Sequence, residues 1–299
     1  MTTTPNEVLR TIDLHAHTTG SDGDHTPSQL IERAATLGLT AIAVTDHDTT
    51  AGVKEALKVA ALHGIEVVPG IELSGEVERG QCHLLGYFID IEDQRLSKRL
   101  QDVVEMRNNR NAIIVEKMQS SLGFNITLQE VEAVAGGEIV ARPHFARVLL
   151  EKGYVSSMQE AFDVYLGKGG KAYVDRMRIT PEEAIDLVHG AGGVIVLAHP
   201  NNLKRSEEET EREVRRLVDA GLDGIEARYN RHTVNDTARY LQLASKLGIL
   251  TSGGSDFHGK TVKPDVFLGH VEGITPAPTV LLETIRASAD TWKGRVSRH

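Results

Sequence analysis

Histidines and carboxylates of this chain fall in short groups: Asp13-Leu14-His15-Ala16-His17 with Asp22 close behind, Thr45-Asp46-His47-Asp48, Gly70-Ile71-Glu72, then His83, Ala198-His199-Pro200, and Gly254-Ser255-Asp256-Phe257-His258. In extended chain, residues two apart share a face, so His15 and His17 can grip one ion, and Asp256 and His258 repeat that geometry near the other end of the sequence. A lone histidine is usually a hydrogen-bonded core or surface residue. Two such pairs, each closing an apolar run, are explained more economically by metal. The nine candidate ligands are His15, His17, Asp22, His47, Glu72, His83, His199, Asp256 and His258. A single catalytic zinc uses about three protein ligands and a water, so this set suits two or three ions, three if one carboxylate bridges. Mixed imidazole and carboxylate without sulfur favours manganese, iron or zinc over magnesium or calcium.

These residues need elements that bring distant positions to one place. Apolar runs at 10–14, 40–45, 65–69, 82–88, 194–198, 223–227, 249–253 and 266–270 read as strands, and amphipathic stretches between them as helices, the rhythm of parallel β/α units in a barrel or a wound sheet. Thr26-Pro27 and Thr180-Pro181 open helices, and glycines close them. Most of the candidate ligands then sit just past strand C-termini, the rim where a parallel barrel gathers its working side chains. Residues 91–178 break the rhythm with helix after helix, at 93–121, 127–135, 142–152 and 156–166. This predicts a core of 1–90 with 179–299 and a helical insertion over 91–178. Residues 95–180 hold 13 Lys and Arg against 10 Asp and Glu, whereas the 299-residue chain carries a net charge of −9. A mildly basic insertion beside an acidic core suits an anionic ligand.

Composition excludes several classes. The apolar stretches are too short to cross a bilayer, and the single cysteine, Cys82, rules out an internal disulfide and a thiolate zinc cluster. The first residues lack the basic head and apolar run of a secretory signal, so a cytoplasmic location is expected. An acidic chain lacks the extended basic face that a DNA duplex requires. Oligomeric state is not legible.

In order, the motifs Asp13-Leu-His-Ala-His17-Thr-Thr-Gly-Ser-Asp22-Gly, Thr45-Asp-His47-Asp, Gly70-Ile-Glu72, Ala198-His199-Pro and Gly254-Ser-Asp256-Phe-His258 resemble those of the PHP (polymerase and histidinol phosphatase) superfamily, over residues 12 to about 270. The resemblance implies an α/β fold, a distorted, TIM-like (β/α)7 barrel, with a trinuclear metal centre. One ion would take His15, His17, Glu72 and Asp256; a second would share Glu72 and add His83 and His199; a third would use Asp22, His47 and His258. Several branches carry histidine where Asp22 stands, and aspartate there agrees with the nucleotide-bisphosphate phosphatase branch. Arg107-Asn-Asn-Arg110-Asn111 and Ala141-Arg142-Pro-His144 resemble the same branch, whose members remove the 3′-phosphate of adenosine 3′,5′-bisphosphate or trim RNA from its 5′ end. The implied partners are a small nucleotide phosphate and the 5′ ends of short RNA.

Hydrolysis of a phosphate ester needs a nucleophile near neutral pH and a clamp for charge on the phosphoryl oxygens. A water bridging two ions, its pKa lowered to about 7, supplies the first, and the ions supply much of the second. Glu72, Asp256 and His199 are the expected catalytic residues. Arg142 reads as a bidentate phosphate clamp. His144, Arg107, Arg110, Asn111 and His232 are further candidates for the substrate, with Glu226 bracing ligands from behind and Asp13, Asp46 and Asp48 hydrogen-bonding ligand histidines. Rival readings are a phosphatase for histidinol phosphate or another small phosphomonoester, a deacylating amidohydrolase, and a non-catalytic PHP-type module.

Overall fold

The computed structural model describes residues 11–135, 140, 142–174, 179–271 and 277–296. The chain divides into two compact units, residues 1–97 with 179–299, and residues 98–178.

The first unit is a nearly closed barrel of eight strands with helices around it. Its strands are β1 (Thr11–Ala16), β2 (Leu39–Val44), β3 (Glu66–Gly75), β4 (Cys82–Tyr87), β5 (Val194–Leu197), β6 (Gly224–Tyr229), β7 (Leu250–Gly254) and the short β8 (Ala277–Pro278). They are ordered β7-β6-β5-β4-β3-β2-β1-β8. β8 runs antiparallel along the start of β1. Past it, the segment after β7 bonds directly to the end of β1, with Asp256 N–H donating to His15 O at 2.8 Å and His17 N–H to Phe257 O at 2.9 Å.

The helices follow from their caps. Thr26 forms a capping box ahead of α1 (Pro27–Thr36), and Gly64, in the left-handed region, ends α2 (Val53–His63). Alternate residues of β2 divide between two apolar clusters. Ile42 and Val44 join Leu30, Ile31 and Ala34 of α1, while Ala41 and Ala43 join Ile12 and Leu14 of β1. That is the period of a pleated strand buried on both faces.

Two expectations need correction. β4 is antiparallel to both β3 and β5, so β3 and β4 form a hairpin instead of a β/α unit. Residues 266–270 form turns, not a strand. Val266 and Leu268 are buried at alternate positions, which mimics a strand, but Gly269 at φ +78° turns the chain and gives its amide to the Asp13 carboxylate at 2.8 Å.

The second unit contains most of α3 (Gln94–Ser120), then α4 (Leu128–Ala135), α5 (Arg142–Glu151), and the short α6 (Met158–Glu160), which runs on as a π-helical turn over Ala161–Leu166. Its own apolar core includes Ile114, Met118, Phe145 and Leu149. The chain returns to the barrel unit through α7 (Pro181–Gly190), α8 (Glu207–Asp219), α9 (Val234–Leu247) and α10 (Val280–Val296). No helix among the described residues is long and apolar enough to cross a membrane.

Candidate metal centre

Each candidate ligand reaches the barrel rim for a local reason. A register shift between Asp13 and Ala16 bends β1 where His15 stands. Glu72 lies within β3, its amide bonded to Asp46 O at 3.1 Å and its carbonyl to the Asp48 amide at 2.9 Å, so the segment bearing His47 runs alongside it. His83 is the second residue of β4, and because β4 is antiparallel its first residues share the rim with the last residues of the parallel strands. His199 stands at φ +25° immediately before a 3-10 turn, Pro200–Leu203. Such a backbone persists only where its surroundings hold it, and here its amide donates to Glu226 Oε2 at 2.7 Å.

The Glu72 carboxylate is the hub. Oε2 lies 3.1 Å from His15 Nε2, 3.0 Å from His17 Nε2 and 3.3 Å from His47 Nδ1; Oε1 lies 2.9 Å from His83 Nδ1 and 3.0 Å from His199 Nε2. Asp256 Oδ1 approaches Nε2 of His15 at 3.5 Å and of His17 at 3.4 Å. Asp22 lies 3.6 Å from His17 Nδ1, 3.9 Å from His47 Nε2 and 3.3 Å from His258 Nε2. Three sets therefore converge, each with ligand atoms within 4.8 Å of one another: His15, His17, Glu72 and Asp256; His17, Asp22, His47 and His258; and His47, Glu72 and His83. His199 meets the last set through Glu72.

These contacts fit a metal better than a hydrogen-bond network. Both ring nitrogens of His17, Nδ1 of His47 and Oδ1 of Asp256 are buried without a hydrogen-bond partner, although carboxylate or imidazole atoms lie close by. Ligands about 2.1 Å from one ion and about 90–110° apart stand roughly 3.0–3.4 Å from each other. The observed separations match, with lone pairs facing a common space.

Electrostatics point the same way. Burial alone would raise the Glu72 carboxyl, but the imidazoles of His47, His15 and His83 overcome it and hold it well below the ordinary range. Burial is likewise outweighed at Asp256 by His15, His17 and Lys263. His17, despite its burial, is pushed up to about 9 by Asp256 and Glu72. His47 is pushed down to about 3, chiefly by burial. A buried cluster of this kind demands positive charge, from protons or from cations.

Behind the ligands stand residues that orient them. His15 Nδ1 donates to Glu226 Oε1 at 2.9 Å, leaving Nε2 for the Glu72 side, and His258 Nδ1 donates to Asp256 O at 2.9 Å, leaving Nε2 for Asp22. Tyr229 OH at 3.0 Å and Lys263 Nζ at 2.5 Å both donate to Asp256 Oδ2. Asn202 Nδ2 lies 3.1 Å from His199 Nδ1. Sequence reasoning missed Tyr229, Asn202 and Lys263. Asn202 follows His199 within one tight turn and so carried a local signal; Tyr229, three residues past Glu226 with a register shift between Glu226 and Arg228 intervening, carried none, and neither did Lys263. Asp13 does hydrogen-bond a ligand histidine, through the His15 amide at 3.1 Å, whereas Asp46 is a correction. They bind backbone amides and the hydroxyls of Ser255, Thr18 and Ser21, bracing rim segments instead of imidazole rings. Asp48 similarly holds Ser74.

The remaining candidates are outside the three converging sets. His232 is fully buried, its Nδ1 donating to Ala227 O at 3.1 Å and its ring against Tyr229 and Tyr240. Arg110, Asn111, Arg142 and His144 belong to the helical unit. Arg110 and Asn111 are buried and bonded to each other at 2.8 Å, with Asn111 Nδ2 donating to Val140 O. Arg142 donates to Leu166 O at 3.1 Å and lies over the Tyr173 ring. His144 is half-buried on the first turn of α5. The Arg107 side chain is outside the described residues.

The family model described as PHP domain matches residues 13–189, more than half of the chain. The chain belongs to the PHP family. This PHP protein is 36% identical over 248 residues to the 5′-3′ exoribonuclease Rnm of Escherichia coli (strain K12), covering 82% of this chain and 84% of that one. It is 34% identical over 284 residues to the 3′,5′-nucleoside bisphosphate phosphatase of Chromobacterium violaceum, covering 90% and 94%. Its fold matches the solved structure of a Bifidobacterium adolescentis protein assigned as a metal-dependent phosphoesterase, with a TM-score of 0.74 at 30% identity over 93% of this chain and 96% of that one. The chain is thus an enzyme, a metal-dependent phosphoesterase of the PHP family, and its His, Asp and Glu clusters fit divalent metal binding.

Proposed function

We propose that this PHP enzyme removes the 3′-phosphate of a 3′,5′-nucleoside bisphosphate, adenosine 3′,5′-bisphosphate first among them, and acts also on the 5′ ends of short RNA. The observation that carries the reading is the Glu72 carboxylate, whose two oxygens face different sets of imidazoles. That is the arrangement of a bridging ligand in a centre of two or three ions, for which manganese is the first choice and iron or zinc the alternatives. His15, His17, Glu72 and Asp256 would hold one ion; Glu72, His83 and His199 a second; Asp22, His47 and His258 a third. Such ions supply an acidified water and neutralise charge on the phosphoryl oxygens. Around them, Glu226 keeps the Nδ1 proton of His15 in place, and Lys263 and Tyr229 occupy Asp256 Oδ2, so that Oδ1 is left for coordination.

One chemical unit unites the two activities. Both break the bond between phosphorus and the 3′-oxygen of a nucleotide that already carries a 5′-phosphate; only the remaining substituent on phosphorus differs. The relatives named as bisphosphate phosphatase and as exoribonuclease support this unit from two sides. For Arg142, Arg110, Asn111, His144 and Arg107 we propose roles toward the phosphates, on their resemblance to that branch. The test offers manganese-loaded protein adenosine 3′,5′-bisphosphate, histidinol phosphate, and oligoribonucleotides with 5′-phosphate or 5′-hydroxyl ends. Turnover of the bisphosphate and of the 5′-phosphorylated oligomer above the others is expected. A preference for histidinol phosphate would reverse the assignment.

A further inference from the structure

The set of Asp22, His47 and His258 takes two of its members from loops at opposite ends of the chain, Asp22 from the loop after β1 and His258 from the loop after β7. Asp22 has the most exposed side chain of the nine ligands, 40% against 22% for His47 and less for the others. Its carboxylate receives a hydrogen bond from its neighbour Ser21 Oγ at 3.2 Å. An exposed carboxylate on a loop can hold an ion only as well as the loop itself is held.

Asp24 ties these two loops together. Its amide donates to His258 O at 2.8 Å, and its Oδ2 accepts the amide of Thr261 at 3.0 Å and the hydroxyl of the same residue at 2.7 Å. Its Oδ1 takes His25 Nδ1, and the His25 ring stands edge-on to Phe257, between Asp256 and His258, with 5.3 Å between ring centroids. Gly259 turns the chain at φ +89° between His258 and Thr261, and a Cβ there would lie 1.4 Å from Asp24 Oδ1. The carboxylate therefore fills the space that a side chain at 259 would need, and the two loops can close on each other only with glycine there. Asp24 is itself outside the three converging sets. Two residues past Asp22 and bonded to the backbone of His258, it fixes the separation of two ligands without being one, through bonds strengthened by its charge.

We infer that Asp24 is a positioning residue for the third ion, its clasp on His258 and Thr261 holding Asp22 and His258 at the spacing that coordination requires. The inference rests on the third ion proposed above. In the test, the full-length, manganese-loaded chain and its D24A variant are dialysed against graded free manganese, and ions per chain are counted by elemental analysis. The ion that leaves first should do so at about ten-fold higher free manganese in D24A, the low end for loss of a partner behind a ligand, while the others leave within about two-fold of the parent chain. D24N keeps an acceptor for Thr261 and should recover most of that affinity. T261V removes one of the two bonds to Oδ2 and should cost about three-fold, which keeps a readout if D24A does not fold. On a D22N background, where the same ion is already weakened, adding D24A should change its release by less than about two-fold. Release of the first ion within about two-fold of the parent in both D24A and T261V, an equal weakening of every ion, or a full further loss on the D22N background would overturn the inference. A parent chain that holds only two ions at saturating manganese would refute the third ion itself before any variant is compared, and the inference with it.

Discussion

Glu72 combines complete burial with five imidazole contacts, so its charge cannot be removed without consequence. In Glu72→Gln the shape persists while one amide nitrogen must face imidazoles as a donor, and the bridging ligand is lost. Elemental analysis should show fewer bound ions per chain, and turnover should drop at least about a thousand-fold. Near-normal turnover with full metal content would remove Glu72 from the bridging position. At this scale much was legible: the positions of His15, His17, Glu72, Asp256 and His258 follow from motif spacing at strand ends, because metal ligation constrains residue type as well as place. The orienting partners are harder to read. Tyr229 and Lys263 serve Asp256 through single hydrogen bonds, for which several residue types would do, so the sequence bears no unique mark of them.

Among elements, closure of the barrel depends on how near β7 can come to β1. A Cβ on Gly254 would stand 2.3 Å from His15 Cβ and 2.4 Å from His15 N. Gly254→Ala must therefore spread the two strands or shift His15, at a cost of about 2–3 kcal/mol. Thermal melting should show that loss, and bound metal should fall with it, since His15 moves. A second prediction concerns α8. Burial works against the Glu213 carboxylate, but the Arg216 and Arg205 bonds prevail and hold it below the ordinary value. Its contribution to stability is thus present above the unfolded carboxyl value of about 4.3 and fades as pH falls through the lower folded one. Glu213→Gln should cost about 1 kcal/mol near pH 7, at the low end for charge-assisted bonds because Arg216 is half exposed. The gap between variant and parent melting temperatures should narrow below about pH 4. A gap constant across that range would show that the ion pairs carry no weight. Element type was mostly legible from periodicity, but direction was not. An apolar alternation reads the same both ways and so does not tell a parallel β4 from an antiparallel one; only its pairing with β3 and β5 puts His83, near the start of the strand, at the rim. The turn at 266–270 imitated a strand because its buried residues alternate while the hydrogen bonds go to Asp13 and to the turn itself.

For the whole molecule, the barrel unit contains every residue of the three converging sets, and the helical unit contains the arginines ascribed to phosphate. Metal content and substrate affinity should therefore separate under mutation. Arg142 already has partners inside its own unit, Leu166 O and the Tyr173 ring, so its loss has a structural component as well. A purely structural role would lower the melting temperature of the helical unit and leave KM in place. A phosphate role moves KM. We expect Arg142→Ala to raise KM for adenosine 3′,5′-bisphosphate about ten-fold, the scale of one charge-assisted contact, with kcat within about three-fold and bound metal equal to that of the parent chain. Arg142→Lys keeps the charge and loses the fork, and should recover only part of the affinity. Full recovery by lysine would mean that charge alone serves at this position. Loss of metal in Arg142→Ala would mean instead that the helical unit supports the ligand set, and the division of labour between the units would have to be redrawn.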